Sequence, residues 1–277
     1  MERNIIIRHN GEELTASIHY PCKDKSGGTG RCKDRVPLAV ICHGFVGSRI
    51  GVDRIFVKAA RELAQDGYMV VRFDYAGCGE SSGDYGSEGI ESMIAQTRAV
   101  LDYGLGSADV DPQRVTLIGH SLGGAVALLT AVRDRRVKNL VLWAAVGYPF
   151  NDIVKIVGRD VYDRSVTSGS ADYAGYNFTP VYFNSLAAFQ PFQEAGKFAG
   201  DVLVVHGTSD EIIPVDYAFL YQKLFWTRPE GRCDKEIIFQ ADHTFSSGPA
   251  QEQVLKRTRE WMNQQEHLQQ EWQNWMI

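Results

Sequence analysis

The chain has 277 residues, 44% of them hydrophobic and 23% charged, with a net charge of −5. That length suits one large α/β domain or two small ones, with enough apolar residues to bury a sizeable core. The negative balance and scattered Lys and Arg argue against a nucleic-acid or anionic-membrane partner. No stretch is long and uncharged enough to span a bilayer, and the N-terminus lacks the pattern of a signal peptide.

In chain order, "NIIIRH" and "ELTASIHYP" flank an Asn-Gly turn and predict a hairpin. "PLAVICHGF" and "YMVVRFDY" are short apolar runs suited to strands buried on both faces, separated by a helix over "DRIFVKAARELAQDG". "IESMIAQTRAVLDYGL" predicts a helix, "RVTLIGH" a strand, "LGGAVALLTAVRD" a helix and "VKNLVLWAAV" a strand. Residues 147–195 lose the rhythm and are crowded with aromatic side chains. Alternation resumes with strand "DVLVVHG", helix "VDYAFLYQKLF", strand "KEIIFQ" and a long helix from about Pro249. Such alternation implies a mostly parallel sheet with helices on both faces. The expected division is a core of 1–146 and 196–277, with 147–195 inserted over one edge.

In the final helix Val254, Trp261, Leu268 and Trp275 fall seven apart, and Trp272 follows Leu268 by four. One reading is an amphipathic helix docked on its own domain. The other is a self-association seam giving a homodimer through the C-terminal helix. Cys22 and Cys32 flank a Gly-rich loop and would be placed to pair if oxidised. The odd total of five cysteines and the lack of CxxC spacing point instead to reduced thiols and a cytoplasmic address.

Gly119-His120-Ser121-Leu122-Gly123 is G-x-S-x-G, placed where a strand gives way to a helix. That is the nucleophile-elbow pattern, in which glycines on either side let a serine project from a strained turn. Ligands of open parallel sheets bind beyond the carboxyl ends of the strands, where Ser121 falls. "HGF" at 43–45 ends an earlier strand and offers the Phe45 N–H beside that of Leu122 as oxyanion donors. After the next-to-last strand Asp210 is the preferred acid, with Glu211 and Asp216 as alternatives. His243 follows the last strand and is the expected base, whereas His206 reads as structural and His120 points the wrong way. Ser121, Asp210 and His243 then run in the order Ser…Asp…His.

With these residues the chain resembles the α/β-hydrolase superfamily. Its "HGF", "RFDYAGCGES", "GHSLGG", "HGTSD" and "ADHTF" blocks look most like the bacterial cinnamoyl/feruloyl esterase and monoacylglycerol-lipase-like branch. The resemblance implies an eight-stranded, mostly parallel sheet, a Ser-His-Asp triad and a small cap after the sixth strand. The implied activity is a serine carboxylesterase acting on a small-molecule acyl or aryl ester. Asp160, Asp163, Tyr173 and Tyr176 are all candidates for a cap residue that touches substrate, with none preferred. The cap aromatics form either its own core or an aryl pocket. No metal or cofactor is expected, because HExxH, paired Cys/His spacing and nucleotide-binding motifs are missing. A serine peptidase or amidase, with Asp160 and Asp163 serving its substrate's N-terminus, and a non-catalytic binding protein are the competing readings.

Overall fold

The computed structural model describes residues 1–21 and 35–275, so the Cys22–Cys32 pairing lies outside the described residues. Strands β1 (Glu2–His9) and β2 (Glu12–His19) form the expected hairpin. After them come β3 (Val36–Cys42), α1 (Ile55–Gln65), β4 (Met69–Phe73), α2 (Ile90–Leu105), β5 (Val110–His120), α3 (Leu122–Arg133) and β6 (Asn139–Trp143). The segment that follows, the one expected to be inserted, holds α4 (Pro149–Val157), α5 (Arg159–Ser168), the two short strands β7 (Ala171–Tyr173) and β8 (Tyr176–Phe178), α6 (Pro180–Ala188) and α7 (Pro191–Ala195). The chain ends with β9 (Asp201–Gly207), α8 (Asp216–Trp226), β10 (Cys233–Ile238) and α9 (Gly248–Trp275).

Eight strands make one sheet in the order β1-β2-β4-β3-β5-β6-β9-β10. Only the β1–β2 and β2–β4 pairings are antiparallel; from β4 to β10 the strands run parallel. The central strands β3, β6 and β9 are largely apolar and buried because both faces are covered. Along β3, Leu38, Val40 and Cys42 pack toward the α2, α3 and α8 side. Ala39 and Ile41 join Ile55, Phe56 and Trp261 on the α1 and α9 side. Period-two alternation thus divides one strand between two hydrophobic layers.

Helix α3 is buried at every position from Leu122 to Ala131, which explains why it reads as an unbroken apolar run. In α9, Val254 and Trp261 are fully buried, and Trp261 Nε1 donates to Asp234 Oδ2 at 2.8 Å. These two heptad positions therefore pack within the chain, while the side chains of Trp272 and Trp275 lie outside the described residues.

The inserted segment has its own aromatic core of Phe178, Tyr182 and Phe183. It is stitched to the loop ahead of α2: Thr179 N donates to the Gly86 carbonyl at 3.0 Å, and Ile90 N donates to Ser185 Oγ at 2.9 Å. The second bond satisfies an otherwise unpaired N–H in the first turn of α2.

Candidate active site

β5 delivers the chain to Ser121, whose backbone sits at φ 56°, ψ −124°. This is a left-handed conformation that a residue with a Cβ adopts only under strain. Ser121 N donates to the Trp143 carbonyl at 2.9 Å, and the Ser121 carbonyl accepts from Val146 N at 3.1 Å. Both bonds hold the turn against the end of β6. The flanking glycines are required by close approach. A Cβ on Gly119 would meet the Gly123 carbonyl oxygen at 2.3 Å, and one on Gly123 would meet the Cys42 and His43 carbonyl oxygens at 2.3 Å.

The loops after β9 and β10 are laced together, with Ser209 N donating to the Ala241 carbonyl at 2.9 Å and Gln240 N to Thr208 Oγ1 at 2.8 Å. They bring His243 between Ser121 and Asp210. His243 Nε2 lies 3.0 Å from Ser121 Oγ, and Nδ1 lies 2.8 Å from Asp210 Oδ2. An ionised carboxylate only accepts, so Nδ1 carries the hydrogen and Nε2 is left to accept from the serine hydroxyl. The Asp210 side chain is fully buried, whereas that of His243 keeps 14% of its surface exposed. Burial alone would raise the Asp210 carboxyl. Hydrogen bonds from His206 and His243, with a further contribution from Ile213 N–H, instead hold it well below the usual carboxylate range. The alternative acids, Glu211 and Asp216, are exposed on the surface.

Leu122 opens α3, so its N–H has no acceptor within the helix and lies at the positive end of the helix dipole. On the other side, a turn closed by Gly47 N donating to the Gly44 carbonyl at 3.1 Å carries Phe45. This turn lies against the serine, since a Cβ on Gly44 would stand 3.1 Å from Ser121 Cβ. His43 fixes its base. Tyr75 N donates to His43 Nε2 at 3.0 Å, so Nδ1 carries the hydrogen and donates to the Gly44 carbonyl at 2.8 Å. Farther along, Arg49 pairs with the buried Asp74 carboxylate and with Glu80 at 2.8 Å. That network ties the loop carrying Phe45 to the turn after β4.

Ser121 opens into a cavity of about 640 Å³. Its apolar walls include Val52, Ile55 and Ile156, with Tyr173 and Tyr176 contributed by the inserted segment. None of the described residues lining it is Lys, Arg, Asp or Glu. Phe45 joins this wall to the aromatic core of the insertion, its ring stacked 5.3 Å from that of Phe178. The aromatic side chains between β6 and β9 divide between two surroundings. Phe178, Tyr182 and Phe183 are core, while Tyr173 and Tyr176 face the cavity. Asp160 and Asp163 do not reach it: both are exposed on α5 and pair with Arg164 at 3.4 Å and Arg159 at 2.9 Å.

Two histidines have parts that sequence reasoning missed. His120 Nε2 donates to the His243 carbonyl at 2.8 Å, holding the main chain of the expected base. Burial and the neighbouring His243 push its pKa down to about 3, so it stays a neutral donor. His206, expected to be structural, contacts Asp210 directly at 3.0 Å. Its i,i+4 spacing from Asp210 across a strand end was the available signal. Among the described residues no cluster of His, Cys, Asp and Glu is arranged to hold a metal ion, and no helix is long and apolar enough to cross a membrane.

A family model described as serine aminopeptidase, S33, matches residues 35–161. An uncharacterized protein of Mycobacterium tuberculosis is 30% identical over 212 residues, 76% of this chain and 63% of that protein. The chain therefore spans less than two thirds of that relative. The 2-hydroxy-6-oxo-2,4-heptadienoate hydrolase of Pseudomonas putida is 27% identical over 64% of this chain and 75% of its own length. Among solved structures, Est1E from Butyrivibrio proteoclasticus with ferulic acid bound superposes with a TM-score of 0.79 at 22% identity, covering 94% of this chain and 98% of that one. The sheet order, the elbow at the end of β5 and these similarities agree, and the chain has the α/β-hydrolase fold.

Proposed function

We propose that the protein is a serine carboxylesterase that cleaves uncharged esters of small acyl or aryl acids. The observation that carries the reading is the line Ser121–His243–Asp210, with spacings of 3.0 and 2.8 Å, opening into a cavity whose described walls bear no charged side chain. His243 Nε2 takes the hydroxyl proton as Ser121 Oγ bonds to the ester carbonyl carbon. The N–H groups of Phe45 and Leu122 hold the oxyanion, each such donor lowering the barrier by about 3 kcal/mol. Collapse breaks the ester C–O bond, and His243 passes its proton to the departing alkoxide. Water then attacks the acyl-enzyme with His243 again as base, releasing the acid and restoring Ser121. Residues 147–195 serve as the cap over this site.

The uncharged wall favours this reading over the substrates named for the relatives. An aminopeptidase must hold an ammonium group and a dienoate hydrolase a carboxylate, and either charge buried without a partner costs several kcal/mol, roughly. The test is turnover of p-nitrophenyl acyl esters, methyl ferulate and aminoacyl anilides side by side. Neutral esters are expected to be the best substrates by at least about tenfold in kcat/KM, a difference of ~1.4 kcal/mol. Preference for the anilides would transfer the protein to the peptidases.

A further inference from the structure

Four N–H groups converge on the Asp210 carboxylate. Oδ1 takes the N–H groups of Ile212 and Ile213 at 2.9 and 2.8 Å. Oδ2 takes two imidazoles, His243 Nδ1 at 2.8 Å and His206 Nε2 at 3.0 Å. His206 Nε2 also lies 3.0 Å from the Ile213 carbonyl oxygen. Both its partners can only accept, so Nε2 carries the hydrogen and shares it between them. His206 is 1% exposed and comes from β9, the strand that also launches the Asp210 loop. It therefore anchors the loop through Ile213 and the acid through Oδ2 with one N–H.

We propose that His206 is a positioning residue that fixes the Asp210 carboxylate by a second imidazole N–H held 3.0 Å from the oxygen facing His243 and moderates the pull of that oxygen on the His243 Nδ1–H. The inference rests on the esterase reading only for its kinetic consequences. The two imidazoles compete for the lone pairs of one oxygen, so removing one donor leaves more negative charge for the other. The groups facing this acid are His206 from the end of β9, His243 from the loop after β10 and His120 from the end of β5. Asp242 lies beside His243 in the last loop. Substitution at His206 leaves the other three in place.

The decisive comparison is His206→Asn against His206→Gln. The Gln amide nitrogen reaches the place of Nε2, whereas that of Asn stops near the place of Nδ1. In His206→Asn the acid limb of the kcat/KM profile is expected to move up by about half a pH unit, lowering kcat/KM near pH 6 about threefold with KM unchanged. The His243 Nδ1–H proton resonance should move downfield, and His206→Gln should restore both readouts. A purely structural role would lower the fraction of titratable active sites without moving either. Identical limbs and resonances in all three proteins would overturn the proposal. Should His206→Asn fail to fold, the wild type decides alone, because nitrogen spectra must show His206 with hydrogen on Nε2, and hydrogen on Nδ1 would overturn it. The resonance shift without hydrolysis of any ester would uphold the inference and sink the esterase reading.

Discussion

Replacing Ser121 by glycine is expected to stabilise the fold while abolishing activity, and the comparison with Ser121→Ala isolates the reason. Both variants lose the Oγ–His243 Nε2 contact of 3.0 Å, so the lost hydrogen bond cancels between them. What differs is the backbone at φ 56°, ψ −124°, where alanine keeps its Cβ and glycine does not. Holding a residue with a Cβ in such a region costs about 1–3 kcal/mol. Glycine's larger conformational entropy in the unfolded chain offsets roughly 0.5–1 kcal/mol of that relief. Ser121→Gly should therefore be about 1 kcal/mol more stable than Ser121→Ala, a rise of roughly 2–4 °C in Tm for a chain of this size. Urea titration with matched m-values and thermal scans both read the difference. At an unstrained position the order reverses. Finding Ser121→Gly less stable than Ser121→Ala by half a kcal/mol or so would refute the claim that the elbow stores strain.

Two further perturbations address the surroundings of the site. Gly123→Ala would press a Cβ to 2.3 Å from the Cys42 and His43 carbonyl oxygens, displacing the segment that leads to Phe45. A stability loss of at least about 2 kcal/mol and a fall in kcat of order 10²–10³ are expected, and wild-type kcat in a folded variant would contradict the placement of the oxyanion loop. His19, buried and accepting from Arg72 Nε at 2.9 Å, is pushed down to about 4 by burial and by Arg72. Between pH 6.5 and 4 the unfolded chain therefore binds a proton there that the folded chain does not. Stability falls as pH falls through this window, by up to about 1.4 kcal/mol per unit from this residue. His19→Gln, which keeps an acceptor but does not titrate, should flatten the urea-midpoint profile between pH 7 and 5; an unchanged slope would exclude His19 as its source.

The central parallel strands were legible because burial on both faces writes itself as continuous apolar runs such as Val36–Cys42. The elbow was legible because its glycines answer a backbone demand that no other residue meets. The inserted segment was not, for a physical reason. Its helices are only 5 to 10 residues long, and three of them begin at proline rather than at a side-chain cap. Tyr182 and Phe183, adjacent in sequence, are both buried against Phe178, so no single apolar stripe survives to set a period. The parts played by His120 and His206 escaped for another reason. Each acts through an atom contributed by a distant loop or beyond its own strand, the His243 carbonyl in one case and Asp210 Oδ2 in the other. Spacing shows where such a histidine sits, and only the fold shows what its ring nitrogen meets. Asp210 was separated from Glu211 and Asp216 by the same kind of fact, its burial beneath two imidazoles.

In the proposed mechanism Ser121 is a nucleophile activated by His243 and Asp210. The most direct test of that activation is to treat the wild type, Ser121→Ala and His243→Ala with a fluorophosphonate, digest each, and locate the adduct by mass spectrometry. One phosphonyl group per chain is expected on the peptide containing Ser121 in the wild type, none in Ser121→Ala, and labelling slowed by about 10³-fold or more in His243→Ala. Equal labelling of wild type and Ser121→Ala, or an adduct on another residue, would contradict the mechanism.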